Sequence, residues 1–383
     1  MKSRAAVLRG LDQPWSVEEI QVDPPKANEV TVHWKVAGMC HSDEHFVTGD
    51  MVPPKELLAM IGVDDFFPFI GGHEGAGVIV DVGPNVTSVK VGDHVSASFV
   101  PSCGRCRYCS TGRQNLCNMG AGTLMGGMIT DGTHRHFLSD GGRVTLMAKL
   151  GTFSEYSTVA EASVIKVEDD LPLDVVALVS CGVATGFGSA TKRADTQPGD
   201  TVVVVGIGGI GINAVQGAKM AGAKRVIAID PVEFKREKAM EFGATHTFAS
   251  MTEAMAAVNE MTWGEMADRV IMTPGVLHGD MMGEAMSLTG KGGTCVVTAI
   301  SPMHETTADI NLFQLAMWNK EVKGTIFGSL NPRADIPALL DLYRAGKLKL
   351  DELITKRYTL DQINEGYQAM RDGENIRGII VNG

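Results

Sequence analysis

No stretch of this sequence approaches the ~18 consecutive apolar residues that a membrane-spanning helix needs. The N-terminus, MKSRAAVLRGLDQPW, carries basic residues but lacks the apolar run of a secretory signal. A cytoplasmic protein without a membrane span is expected. Positive charge is also short: 34 lysines and arginines stand against 45 aspartates and glutamates, a net charge of −11. Binding along phosphate backbones takes clustered cations, so general nucleic-acid affinity is excluded. Internal repeats and low-complexity segments are absent. So is an even number of cysteines: the chain has seven, which in a reducing compartment read as metal ligands or reactive thiols before they read as disulfides.

What is present is length. Single cores seldom grow past roughly 250–300 residues, so a chain of 383 residues is expected to form two domains. The first part alternates apolar and polar residues (WSVEEIQV, EVTVHWKVAG, GAGVIVDVGPNV, VKVGDHVSAS) with Gly and Pro between, as antiparallel strands do. Residues 48–70 break that texture with a short helical piece at Lys55 to Ile61 between prolines, in a connection long enough to imply a role. Beyond Leu171 the pattern becomes strand (TVVVVG), helix (INAVQGAKMAGA), strand (RVIAID), helix (VEFKREKAMEFGA), strand (ADRVIMT), helix and strand (GGTCVVTAI). That alternation predicts βαβ units on a parallel sheet. After Phe327 come a helix at Asp335 to Ala345, a strand-like ITKRYTL, a helix and a last strand, IRGIIV.

Gly206-Ile207-Gly208-Gly209-Ile210-Gly211 fits G-x-G-x-x-G. Alone the match is weak. Here it follows a predicted strand and opens a predicted helix, and Asp230 stands 19 residues beyond Gly211 at the end of the next strand. The glycines would let the backbone approach a pyrophosphate at the helix N-terminus. Asp230 would accept from the adenosine ribose hydroxyls and repel a 2′-phosphate, which favours NAD over NADP.

Cys103-x2-Cys106-x2-Cys109-x7-Cys117 is the most specific spacing in the chain. Four thiolates so placed can close a tetrahedral zinc with no open position, a structural site; an iron–sulfur cluster or a pair of disulfides are the alternatives. Cys40, His73 and Cys181 are scattered. Two thiolates and an imidazole would leave a fourth position on a metal for water or substrate, as catalytic zinc requires. Each taken singly reads as a buried thiol or a core histidine.

Taken together, Cys40-His41-Ser42-Asp43-Glu44-His45, Gly72-His73-Glu74-Gly75, the four-cysteine lobe, Ser180-Cys181-Gly182-Val183-Ala184-Thr185-Gly186, the glycine turn and Asn375-Ile376-Arg377 resemble the zinc-dependent medium-chain alcohol dehydrogenases, in that family's order and over essentially the whole chain. The resemblance implies an α/β protein: a GroES-like β-rich catalytic domain from residues 1–182 and 327–383, with a structural zinc lobe at about 101–118, and a Rossmann NAD-binding domain, a doubly wound parallel sheet, from 183–326. It implies two zinc ions per chain, a catalytic one on Cys40, His73 and Cys181 and a structural one on the four cysteines. Glu74 would stand near the catalytic metal and Asp43 behind a ligand histidine. Ser42 would take the alcohol's proton and pass it through the nicotinamide ribose to His45. His41 and Arg377 would meet the pyrophosphate, Thr185 the nicotinamide and Lys235 the adenosine ribose, beside Gly206, Gly208, Gly209, Ile210, Gly211 and Asp230. The implied reaction is reversible oxidation of an alcohol to an aldehyde or ketone by hydride transfer to NAD, in a homodimer or homotetramer.

Cys40 and His73 lie 33 positions apart, more than in the familiar liver-type enzymes, and the excess falls in residues 48–70. That segment resembles the actinobacterial nitrosodimethylaniline-dependent branch, which implies NAD held as a prosthetic group and reoxidised in place by a redox carrier such as mycofactocin. Phe66, Phe67, Met125 and Met128 are candidates for the cleft wall or for ordinary core. His134 and His136 read as a solvated loop, and Cys295 as a buried strand thiol. Competing readings are a formaldehyde or S-hydroxymethyl-thiol dehydrogenase, a polyol dehydrogenase, a zinc-free reductase of the same fold and a non-enzymatic zinc- and NAD-binding protein.

Overall fold

The computed structural model describes residues 1–60, 63, 65–124 and 126–382. The chain divides into two compact units, Met1–Cys181 with Asn331–Gly383, and Gly182–Leu330. In chain order, the first unit opens with β1 (Lys2–Leu8), β2 (Ser16–Val22), β3 (Glu29–Gly38), α1 (His41–Val47), α2 (Lys55–Met60), β4 (Phe69–Ile70), β5 (Glu74–Val82) and β6 (His94–Ala97). It continues through α3 (Arg107–Ser110), β7 (His136–Leu138), β8 (Thr145–Leu146), β9 (Tyr156–Ala160), β10 (Val164–Lys166) and α4 (Leu173–Val179). The second unit holds α5 (Gly182–Gly188), β11 (Thr201–Val205), α6 (Gly211–Met220), β12 (Arg225–Ile229), α7 (Glu233–Phe242), β13 (His246–Phe248) and α8 (Met251–Met261), then β14 (Ala267–Met272), α9 (Met281–Leu288), β15 (Thr289–Val297), α10 (Leu312–Met317) and β16 (Glu321–Gly324). The chain returns to the first unit with α11 (Pro332–Arg344), β17 (Ile354–Tyr358), α12 (Ile363–Arg371) and β18 (Arg377–Val381).

In the first unit, β3 is the central strand of a sheet ordered β10-β6-β5-β3-β18-β17, with β9 also on β3. Its valines and Trp34 bury against Ile79, Val95 and Val159, and the indole N–H finds Ser157 Oγ at 2.7 Å. Strand register places the functional side chains. Gly38 pairs with Glu74 on β5 and with Ile379 on β18, so β3 and these two antiparallel neighbours bring Cys40, His73, Glu74 and Arg377 to one end of the sheet. A second sheet, β7-β2-β1-β4-β8, completes the unit.

The described residues between Thr48 and Ile70 fold back onto that core. Phe66 is 6% exposed and stacks at 5.4 Å on Phe46 of α1 and at 5.1 Å on Phe69. Burial of one such ring is worth about 1.5–3 kcal/mol, and here it ties the segment to the helix that carries Ser42 and His45. His136, read from sequence as part of a solvated loop, is instead buried in β7 and accepts from Thr158 N–H at 3.1 Å.

The second unit has one parallel sheet ordered β13-β12-β11-β14-β15-β16. Direction of progress reverses beside β11, the switch point at which such folds take ligands beyond the strand ends. All five residues of β11 are buried, which is why TVVVV has no polar alternation. The sequence reading passes over β13 and α8. A three-residue strand is too short to show periodicity, and the signal that could have found α8 is its cap: Ser250 Oγ accepts from Glu253 N–H at 3.1 Å while Glu253 Oε2 accepts from Ala249 N–H at 2.9 Å.

Candidate active site and metal centres

Cys40 caps the N-terminus of α1 just past the end of β3, and His73 precedes β5. Cys181 follows α4, which packs on β3 and β5. The ligand atoms of Cys40, His73, Cys181 and Glu74 all lie within 4.8 Å of one another, and all four residues are buried. His73 Nδ1 lies 3.1 Å from Asp43 Oδ2, and Asp43 Oδ1 accepts from Gly72 N–H at 2.6 Å. Both ring nitrogens are buried outside hydrogen-bond geometry among the described residues, so Asp43 meets Nδ1 as a charge partner and Nε2 has no hydrogen-bond partner there.

The donor chemistry fits a divalent metal. An S–H bond from Cys181 holds Cys40 well below the ordinary thiol range despite burial, and the same bond, with burial, pushes Cys181 well above it. Two sulfurs therefore share one proton that a cation would replace, making both thiolates. Burial disfavours charge on His73, yet Asp43 and Cys40 overcome it and raise its pKa well above normal. Burial also lifts Glu74 to about 7, although Arg377 sits beside it. Arg377, expected on a pyrophosphate, is itself buried and ion-paired with Glu74 Oε2.

The rest of α1 surrounds this cluster. Ser42 Oγ is 3.6 Å from Cys40 Sγ. The His41 and His45 rings meet edge to face at 5.0 Å. His45 is 2% exposed, and its Nδ1 lies 3.0 Å from Asp50 Oδ2, which also accepts from Thr48 Oγ1 at 2.8 Å. Sequence reasoning missed four neighbours: Asp50; Phe99, edge-on to His73 at 5.6 Å; Tyr367, whose hydroxyl donates to Cys40 O at 3.4 Å; and Arg371, paired with Glu44 at 2.7 Å. None shows a spacing or motif that marks it in advance. Phe66 belongs to the core, Phe67 is half-buried and Met128 is buried; Met125 lies outside the described residues.

The second cluster brings together Cys103, Cys106, Cys109 and Cys117 within the same 4.8 Å limit. All seven cysteines are unbridged, which removes the disulfide alternative. Backbone N–H groups of Cys103 and Cys106 point at the sulfurs of Cys117 and Cys103, both at 3.4 Å. Backbone N–H bonds from Cys109 and Asn118 lower Cys106 to about 6, while burial raises Cys109 to about 12. Such a set of four sulfurs, with no other donor grouped with them among the described residues, fits a closed, structural metal.

In the second unit, Gly206 ends β11 at φ +90°, where a Cβ would stand 2.5 Å from Thr273 O. A Cβ at Gly211 would sit 1.9 Å from Gly206 O, whereas one at Gly208 would meet nothing within 4 Å. Two glycines are thus needed for the turn, and the third leaves an open cradle over the start of α6. Gly209 and Ile210 complete the turn, and Asn213 Nδ2 donates to Gly209 O at 2.8 Å. Asp230 Oδ2 accepts from Ile207 N–H at 2.7 Å and Oδ1 from Val232 N–H at 2.9 Å. Each oxygen keeps a lone pair for a diol. Arg236, also missed, donates to Asp230 O at 2.8 Å and fixes the chain there; Lys235 lies in the first turn of α7. Thr185 Oγ1, in α5, is buried without a hydrogen-bond partner among the described residues. An open cradle, an acidic strand end and an orphaned hydroxyl fit a dinucleotide.

Among the described residues no single helix is long and apolar enough to cross a membrane. Residues 26–169 match the family model for an alcohol dehydrogenase GroES-like domain, and residues 209–345 that for a zinc-binding dehydrogenase. The chain is 53% identical to the NDMA-dependent alcohol dehydrogenase of Amycolatopsis methanolica, covering 100% of this chain and 99% of that one. It is 48% identical to alcohol dehydrogenase B of Mycobacterium tuberculosis, covering 99% and 98%. The crystal structure of benzyl alcohol dehydrogenase from Acinetobacter calcoaceticus superposes with a TM-score of 0.89 at 29% identity over the full length of both. With both ligand clusters assembled in the first unit and a parallel-sheet nucleotide fold in the second, this enzyme belongs to the zinc-dependent medium-chain alcohol dehydrogenase family.

Proposed function

We propose that the enzyme oxidises a small alcohol to an aldehyde or ketone with NAD as hydride acceptor, and that it belongs to the nitrosodimethylaniline-dependent branch, with NAD retained and reoxidised in place by an external redox carrier of the mycofactocin kind. The observation that carries the chemistry is the buried Cys40, His73, Cys181 and Glu74 cluster with Ser42 beside it. The 53% identity to an NDMA-dependent relative supports the branch.

In this reading Cys40, His73 and Cys181 hold one zinc and Cys103, Cys106, Cys109 and Cys117 the other. When bound, the catalytic zinc supplies Lewis acidity that turns an alcohol hydroxyl into a proton donor at neutral pH, and NAD supplies the hydride acceptor. Asp43 fixes the His73 ring so that Nε2 is the ligating atom. Ser42 takes the hydroxyl proton and His45 is the acceptor that hands it on to solvent. Glu74, held by Arg377, is the carboxylate able to enter the ligand sphere during exchange. In the second unit the Gly206, Gly208, Gly209, Ile210 and Gly211 turn receives the pyrophosphate, Asp230 and Lys235 the adenosine ribose, and Thr185 the nicotinamide. By analogy with the family the reading carries a homodimer or homotetramer, with the cytoplasm as its compartment.

The test is one preparation and two assays. Two zinc per chain, with NAD that survives gel filtration and is released on denaturation, is the expected content. Turnover of a primary alcohol with nitrosodimethylaniline and no added NAD is the expected activity. Turnover only with added NAD, accumulating NADH, would return the enzyme to ordinary NAD-linked dehydrogenases.

A further inference from the structure

We infer that Asp50 is a positioning residue for the proton acceptor His45, so that the segment distinguishing this chain from liver-type relatives also completes the catalytic relay. The inference rests on the relay proposed above. Its ground is geometric. His45 is 2% exposed on α1, with Nδ1 3.0 Å from Asp50 Oδ2. A carboxylate only accepts, so this contact places the ring proton on Nδ1 and leaves Nε2 as the basic nitrogen. Thr48 Oγ1 donates to the same Oδ2 at 2.8 Å, which fixes the carboxylate against the ring. The backbone agrees: Met51 N–H donates to His45 O at 3.0 Å, and Thr48 N–H to Glu44 O at 2.9 Å. The turn that follows α1 is therefore folded onto the helix it leaves, which sets Asp50 beside His45.

Proton balance is simple. The proton lost by the alcohol through Ser42 arrives on His45 Nε2, making an imidazolium whose charge Asp50 neutralises; the carboxylate stays ionised and the proton then passes to water. Without Asp50 the ring could carry its proton on either nitrogen, and the imidazolium would form in a nearly dry site without its counter-charge. Asp50 is 20% exposed against 2% for His45, so it is the edge at which the pair meets solvent.

The experiment compares His45→Ala, Asp50→Asn and Asp50→Glu in the nucleotide-loaded holoenzyme, reading kcat, KM for the alcohol, the solvent deuterium isotope effect on kcat and the melting temperature. Asp50→Asn is expected to lower kcat about tenfold or more, the lower part of the range for acid–base assistance. KM and melting temperature should change little, and the isotope effect should grow as proton removal becomes limiting. Asp50→Glu should restore part of the rate. Unchanged kcat in Asp50→Asn, or a lowered kcat without a larger isotope effect, overturns the inference. His45→Ala separates the two levels: if it too leaves turnover unchanged, the relay itself is wrong, whereas a slow His45→Ala beside a fast Asp50→Asn removes Asp50 alone.

Discussion

Gly38 faces Glu74 across β3 and β5, and a Cβ on Gly38 would stand 2.1 Å from Glu74 Oε2 and 3.0 Å from Arg377 Nη2. The missing side chain is the space that the buried ion pair occupies. Gly38→Ala should push Glu74 and Arg377 apart at a cost of about 3–5 kcal/mol, the range for breaking a buried pair. Thermal melting and zinc content check this; full zinc and a melting temperature within about 2 °C of wild type would contradict it.

Asp43 lies against His73 and accepts from the Gly72 backbone. Asp43→Asn keeps the shape and removes the charge that orients the ring. Affinity for the catalytic zinc should fall about 10- to 100-fold, as with other outer partners of ligand histidines. Competition with a chelator measures it, and the four-cysteine site in the same sample serves as the internal reference.

Cys103→Ser should act differently. It removes a ligand from the closed cluster, so one zinc per chain should be lost and the melting temperature should drop by several degrees, with the Cys40 cluster still loaded. Two zinc per chain at an unchanged melting temperature would sink the structural assignment.

In the nucleotide turn, Asp230→Ala strips acceptors from the Ile207 and Val232 N–H groups. Each buried N–H left without a partner costs about 1–3 kcal/mol, and the ribose loses its carboxylate. NAD should bind at least about tenfold more weakly, with the preference over NADP reduced. Equilibrium binding of both nucleotides to the stripped protein decides it.

Acid stability offers a fifth test. Burial lowers His136 to about 3, from an ordinary value near 6.5. The unfolded chain therefore takes up a proton below pH 6.5 that the native state refuses until about pH 3. Stability from this residue is full above pH 6.5 and falls as pH drops through that window, by about 2 kcal/mol at pH 5. His136→Asn should be less stable at pH 7 yet lose less on going to pH 5. Equal losses in melting temperature for both proteins would refute the assignment.

The two clusters of candidate metal ligands were legible because chemistry constrains them: four cysteines at short spacing, and Cys40, His73 and Cys181 through the motifs around them. The glycine turn was legible for the same reason, since Gly206 and Gly211 answer to backbone clashes that any sequence must respect. Pairings over long separation were not. Arg377 meets Glu74 from 303 residues away, and Arg135 forms a buried bidentate pair with Glu29 from 106 residues away; only the assembled sheet makes either contact visible. For Phe66 the sequence allows cleft wall or core, and stacking on Phe46 of α1 and on Phe69 decides for core; that choice depends on partners that only the fold brings together.

The strand Arg377–Val381 pairs along β3, and Arg377 reaches Glu74 from it. Arg377 thus joins a cluster whose other members stand at positions 40, 73, 74 and 181, and long-range strand pairing alone brings it there. The counter-charge of Glu74 is therefore a property of the β3–β18 register: a variant in which that pairing slips would keep Cys40, His73, Glu74 and Cys181 and lose the frame that holds them together.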